Sequence, residues 1–212
     1  MNEDRLLSAA VREELVSRNV AALVKVPTPR ARRVLVWTVD QSRQFFENAR
    51  DENDPHYVAY VLMLVLGLRR GEVLGLGWDD VDLDAGKAII AWQLQRVRGQ
   101  LLPRPTKTAA SDSALPLPRI CVAALKSRRE TERQLRAKAQ AWQESHLVLT
   151  TPLGTPVDPR NFHRAFIARC RKAGVPVMTV HATRKACASL LIALDVHPRV
   201  AMQILGTARL RW

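Results

Sequence analysis

His181 and Arg184 stand three residues apart in "VHATRKACASLL", at the predicted start of a helix. That spacing puts both side chains on one helix face. The helix start adds backbone N–H groups without intrahelical partners and a partial positive charge. An imidazole, a guanidinium and a helix end together suit a phosphate group. Arg69 and Arg70 follow an apolar run in "GLRRGE". Arginines at such an edge commonly extend to solvent, but Glu72 lies one turn beyond Arg69 and is placed to hold its guanidinium. Lys107, in "PTKTAAS", falls in a turn between two predicted strands. It is either a solvated lysine or a mobile ammonium able to reach a substrate and give a proton. The "KT" pair is not part of a nucleotide P-loop. Cys121, Cys170 and Cys187 form no C-x-x-C pair, and no Cys/His spacing suits zinc.

Helices must carry most of these residues. "LLSAAVREELVSRNVAALV" has helical periodicity and is followed by the basic, proline-punctuated "KVPTPRARR", which reads as a linker. "TVDQSRQFFENA" predicts a helix with Thr38 as N-cap and Gln41 completing a capping box. "NDPHYVAYVLMLVLG" predicts a buried helix with Asp54 as N-cap, Pro55 at the first helical position and Gly67 as terminator. "RRGEVLGLGW" is a short helical piece. The period then changes: "KAIIAWQLQRV", "QLLPRP" and "SALPLP" are extended runs separated by "RG" and "TKTAAS", which predicts one small antiparallel sheet. A long charged helix follows from Arg119 to Trp142. "LVLT" reads as a strand, "DPRNFHRAFIARCRKAG" as a helix capped by Asp158, and "HATRKACASLLIALDV" and "PRVAMQILG" as a last helical pair. The expected fold is mostly α with a small antiparallel β-sheet, an α+β class.

At 212 residues and 47% apolar composition the chain can bury a core. Its net charge of +13 points to a polyanionic partner. The charge is uneven: residues 1–90 carry net −2 and residues 91–212 net +15. A basic surface on the later part would neutralise phosphates and release counterions, whether specifically or only non-specifically. The odd cysteine count without a targeting segment suggests reduced thiols and a cytoplasmic location. The longest apolar run is shorter than the roughly 20 residues needed to span a bilayer, so no membrane partner is expected.

The order of these motifs adds to each of them. "LGLRRGEVLGLGWDDVDLDAG", then "PTKTAASDSALPLP", then "VHATRKACASLL" and "ILG" resemble the catalytic domain of tyrosine recombinases, the phage-integrase and Xer-type family, from about Val34 to Leu205. Residues 1–28 resemble the last helix of the family's core-binding domain with its linker, leaving 34–212 as the catalytic domain. The resemblance implies the DNA breaking-rejoining fold and a reaction without metal or cofactor. In it a tyrosine attacks the scissile phosphodiester of double-stranded DNA and cations stabilise the crowded transition state. By the pattern G-x-R-x-x-E, Arg69 rather than Arg70 matches the first catalytic arginine and Glu72 the acid that supports it. Lys107 matches the lysine that protonates the leaving 5′-oxygen. His181 matches a proton-handling group near the nucleophile, and Arg184 the second catalytic arginine.

The departures shape the expected activity. Lys185 stands where the family usually has histidine, and Ala182 and Thr183 replace its Asp and Leu. Thr207 stands at the second-histidine position. The only tyrosines, Tyr57 and Tyr60, precede Arg69 in an apolar helix and do not match the nucleophile. The expectation is therefore a C-terminally truncated, catalytically inactive recombinase, for instance through a frameshift after Leu205. The alternative is a non-catalytic DNA-binding protein that competes for recombination sites, and a third reading has an intact recombinase subunit donate the tyrosine.

Overall fold

The computed structural model describes residues 3–20, 36–106, 114–180, 182–193, 195–197, 199–201 and 204. Contacts divide the chain into two units, 1–34 and 35–212. In the first, helix α1 (Glu3–Arg12) ends well before the predicted limit. The chain turns instead, with Glu14 at φ 59° and the Asn19 amide donating back to the Ser8 hydroxyl at 2.8 Å. A side chain that satisfies itself on a turn competes with helix continuation.

The second unit is built around α3 (Tyr57–Val65), where every residue from Val58 to Val65 is buried. A helix apolar on all sides must be covered on all sides. Here α2 (Val39–Asp51), α4 (Arg70–Leu74), α5 (Arg119–Lys138) and α7 (Thr183–Ala193) pack against it. Helix α6 (Pro159–Lys172) packs on α2. Trp37, Phe45, Tyr60, Phe162 and Phe166 form one aromatic cluster, with Trp37–Phe45 and Phe45–Tyr60 centroids 4.8 and 5.1 Å apart. Such pairs add about 0.5–1.5 kcal/mol each beyond area burial.

The helix signals hold with exceptions. Thr38 accepts the Gln41 N–H, and the Gln41 side chain accepts the Thr38 N–H, the full capping box. Asp158 caps α6, accepting the Arg160 N–H at 2.7 Å. Asp54 is not the cap of α3. Its carboxylate accepts the His56 N–H two residues on, a local turn, and the helix starts after it with His56 at the cap. Gly67, at φ 62°, takes the chain out of the apolar run in a conformation other residues adopt at a cost. Helix α5 stops at Lys138 rather than Trp142, because Ala139 turns to extended backbone. Its Arg128 is buried but satisfied, donating to the Val148 carbonyl and the Thr150 hydroxyl, both at 2.8 Å. In "LVLT" the described pairing is confined to isolated bridges at Leu147 and Thr150.

The single predicted sheet is two. Strands β1 (Val81–Asp82), β2 (Lys87–Ala88) and β5 (Leu115–Pro116) form one, in the order β1-β2-β5. Strands β3 (Trp92–Val97) and β4 (Gln100–Pro105) form a separate hairpin. The run "KAIIAWQLQRV" looks continuous by type, yet it leaves the first sheet after Ala88 and enters the hairpin at Trp92. Between β3 and β4 lie only Arg98 and Gly99, both at positive φ (49° and 87°), the two-residue turn that matches strand twist.

Among the described residues, no helix is long and apolar enough to cross a membrane. Residues 199–201 and 204 are helical.

Candidate functional site

The cleft begins where α3 ends. After Gly67, Leu68 is buried and Arg69 takes extended backbone at the cap of α4. Glu72, at the third helical position, reaches back as the acid of a capping box does. One oxygen accepts the Arg69 backbone N–H and the other its guanidinium, both at 2.7 Å. Glu72 is only 7% exposed, so this carboxylate sits behind the arginine rather than in solvent. Short α4 is held against β3 by missing side chains. A Cβ on Gly75 would lie 2.7 Å from the Leu94 nitrogen, so glycine lets the helix lie on the strand.

Arg184 approaches the same carboxylate from α7, with its Nη1 3.9 Å from Glu72 Oε2 and its side chain 11% exposed. Burial first, and then the neighbouring Arg69 charge, pull the Arg184 guanidinium below its ordinary pKa, against the opposing pull of Glu72. Two guanidiniums gathered at one buried carboxylate make a cluster of net positive charge, suited to the oxygens of a phosphate.

The facing wall comes from the hairpin and from α6. Arg96 and Arg98 project from β3 and its turn, and Arg160 and His163 from the first turns of α6. Arg96 forms an ion pair with Asp158. The Arg70 guanidinium reaches the Pro159 carbonyl at 3.3 Å and so joins α4 to α6. Together these elements enclose a cleft of about 930 Å³ whose lining includes six arginines and His163 and, among the described residues, no Asp or Glu. The His163 Nδ1 atom is buried without a hydrogen-bond partner among the described residues.

Of the residues expected from sequence, the structure brings Arg69, Glu72 and Arg184 together. Lys107, His181 and Thr207 lie outside the described residues. Their neighbours are placed: Val180 lines the cleft. Thr106 donates its hydroxyl to the Ile90 carbonyl at 3.0 Å and its backbone N–H to Ala91 at 2.8 Å, which pins the chain just before Lys107. Arg96, Arg98, Arg160 and His163 were not anticipated. The signal for them was the excess of basic residues after position 90 and the "RG" turn. Tyr60 is fully buried in the aromatic cluster, and burial pushes its phenol far above the usual range. Tyr57 lines a different groove, between α3 and α5.

Residues 36–211 match the family model described as "Phage integrase family". The chain is 28% identical over 160 residues to a protein described as "Tyrosine recombinase XerC-like" from Caldanaerobacter subterraneus subsp. tengcongensis, covering 69% of this chain and 41% of the relative. It is 30% identical over 173 residues to an "Integrase" from Streptomyces ambofaciens, covering 77% of this chain and 43% of that protein. The chain thus spans less than half the length of these two relatives. Among solved structures, the Tn1549 transposon integrase in complex with transposon right end DNA superposes with a TM-score of 0.72 at 18% identity, covering 96% of this chain and 68% of that one. XerA recombinase superposes with a TM-score of 0.60 at 21% identity, covering 88% and 61%. These two likenesses establish the fold.

Proposed function

The chain belongs to the phage integrase family, and from that premise we propose that its cleft holds the phosphodiester backbone of double-stranded DNA for site-specific recombination. The observation that carries this reading is the Arg69–Glu72–Arg184 cluster, two arginines, from the cap of α4 and from α7, gathered at one buried carboxylate. Arg69 and Arg184 would each hold a non-bridging oxygen, and their positive charge would grow in value as negative charge accumulates in the transition state. Glu72 orients them and does not touch the phosphate. Lys107 is assigned the proton for the leaving 5′-oxygen and His181 proton handling near the nucleophile. No metal or cofactor is assigned a role. Thr207 is assigned no catalytic role, because its hydroxyl does not replace an imidazole.

Neither Tyr57 nor Tyr60 serves as nucleophile in this reading, because neither lines the cleft. The proposed activity of the 212-residue chain by itself is therefore DNA binding without covalent strand transfer. An attacking tyrosine would have to come from outside these 212 residues.

Two measurements test this. Gel mobility shifts on duplex DNA should give an affinity that falls linearly on a logarithmic salt scale. Arg69→Ala and Arg184→Ala should each make that slope shallower by about 0.9. A nicked suicide substrate should form no covalent adduct with the chain alone. Absence of binding at low salt, or slopes unchanged in both variants, overturns the phosphate-cleft reading. A covalent adduct overturns the assignment of the nucleophile.

A further inference from the structure

The six arginines of the cleft do not all face it on the same terms. Arg96, on β3, has its guanidinium against the carboxylate of Asp158. Asp158 is held from a second side, where its other oxygen accepts the Arg160 backbone N–H at 2.7 Å. Its side chain is 17% exposed, while that of Arg96 is 38% exposed. The carboxylate therefore sits behind the wall and the guanidinium is at the surface. A charge paired in this way adds little field to the cleft, because the two charges largely cancel at distances well beyond their separation. Arg98 and Arg160, on either side, line the same wall.

We infer that Asp158 is an internal competitor for DNA phosphate: its carboxylate occupies Arg96 and keeps this guanidinium out of the set that contacts the backbone. This rests on the proposed DNA-binding role of the cleft. A phosphate reaching Arg96 either displaces a carboxylate already fixed by its helix-capping bond or shares the guanidinium with it, and this pair, unlike the two arginines on Glu72, carries no net charge to give it. The affinity is thereby set below what six available arginines would give. The same carboxylate also caps α6, which keeps it in place whether or not Arg96 is attached.

The test separates the two duties of Asp158. Asparagine and serine are both good N-caps, so Asp158→Asn and Asp158→Ser should keep α6 and remove only the charge. Both variants should bind duplex DNA with a salt slope steeper by about 0.9, read as about 3.5-fold more affinity lost between 50 and 200 mM salt. Arg96→Ala alone should leave the wild-type slope unchanged. Arg96→Ala with Asp158→Asn should bring the steeper slope back to the wild-type value. A wild-type slope in both Asp158 variants, or a slope made shallower by Arg96→Ala alone, overturns the inference. Failure of the underlying reading looks different: the wild-type protein would then not bind at low salt, or Arg69→Ala and Arg184→Ala would leave the slope unchanged.

Discussion

At its N-terminal end α6 contributes Arg160 and His163 to the cleft. Toward its C-terminal end, Arg169 and Lys172 meet Glu52 and Asp54 from the α2–α3 connection. Both regions are built from arginines and carboxylates, and the difference lies in the count. In the second region two cations face two anions. Arg169 donates to Asp54 at 2.6 Å, and to Glu52 and Asn48 at 3.0 Å each, with its side chain 11% exposed. Every charge there is used internally, so the region works as a clamp between α6 and the α2–α3 connection. In the cleft six arginines line the wall, and the described ion pairs to them come from two carboxylates, Glu72 and Asp158. The excess of positive charge is left facing solvent. A balanced cluster holds the fold together, whereas an unbalanced one costs self-repulsion that an anionic ligand relieves.

Breaking the clamp should give the largest effect. Arg169→Met keeps the side-chain volume but leaves Asp54 and Glu52 without their shared cation. Removing one partner of a mostly buried pair costs about 3 kcal/mol, here a fall in Tm of about 10 °C by thermal melting. The DNA salt slope should not change, since Arg169 does not line the cleft. A changed slope with an unchanged Tm would erase the distinction between the two regions.

Acid should sharpen the distinction at intermediate size. Burial raises the Asp54 carboxyl, but hydrogen bonds from the His56 side chain and backbone and the charge and bond of Arg169 lower it further, so the net shift is downward. A carboxylate whose pKa is lowered by folding stabilises the protein above its ordinary value, about 3.9, and loses that contribution as pH falls through the folded value. Melting temperature should therefore drop on acidification below about pH 4, and Asp54→Asn should show a shallower drop over the same window. Parallel curves for the two proteins would remove Asp54 from the clamp.

The Arg69–Glu72 pair was legible because its parts are local. Arg69 and Glu72 are three residues apart, and helical geometry alone brings them together. The clamp was not legible, because Arg169 meets Asp54 across 115 positions of sequence and nothing in either local pattern names the other. The start of α3 was misplaced for a local reason: Asp54 was read as its cap, yet its carboxylate accepts the His56 N–H in a turn before the helix, and its other oxygen accepts from Arg169. The two sheets were read as one for another reason. Strand propensity marks extended segments but not their partners, and Leu115 pairs with Ala88 rather than with the hairpin. Basic composition predicted a surface suited to a polyanion, but only folding assigned Arg96 to a carboxylate and Arg98 and Arg160 to the wall.

The smallest effect should come from the capping box that starts α2. Thr38 and Gln41 satisfy two helix-end donors reciprocally, and both bonds are solvent-exposed. Thr38→Ala should cost about 1 kcal/mol and Thr38→Ser close to nothing, since serine caps as well as threonine. In thermal melts the first corresponds to about 3 °C. The value of the experiment lies in where α2 ends. Its last turns carry Asn48 and lead to Glu52, both bonded to Arg169. If α2 and the clamp form one cooperative unit, the losses from Thr38→Ala and Arg169→Met fail to add, because the second change acts on a helix already loosened. If the losses add, the cap stabilises only its own turn and the clamp is independent of it. In either case the DNA salt slope of Thr38→Ala should match that of the wild-type protein, because α2 contributes no residue to the cleft.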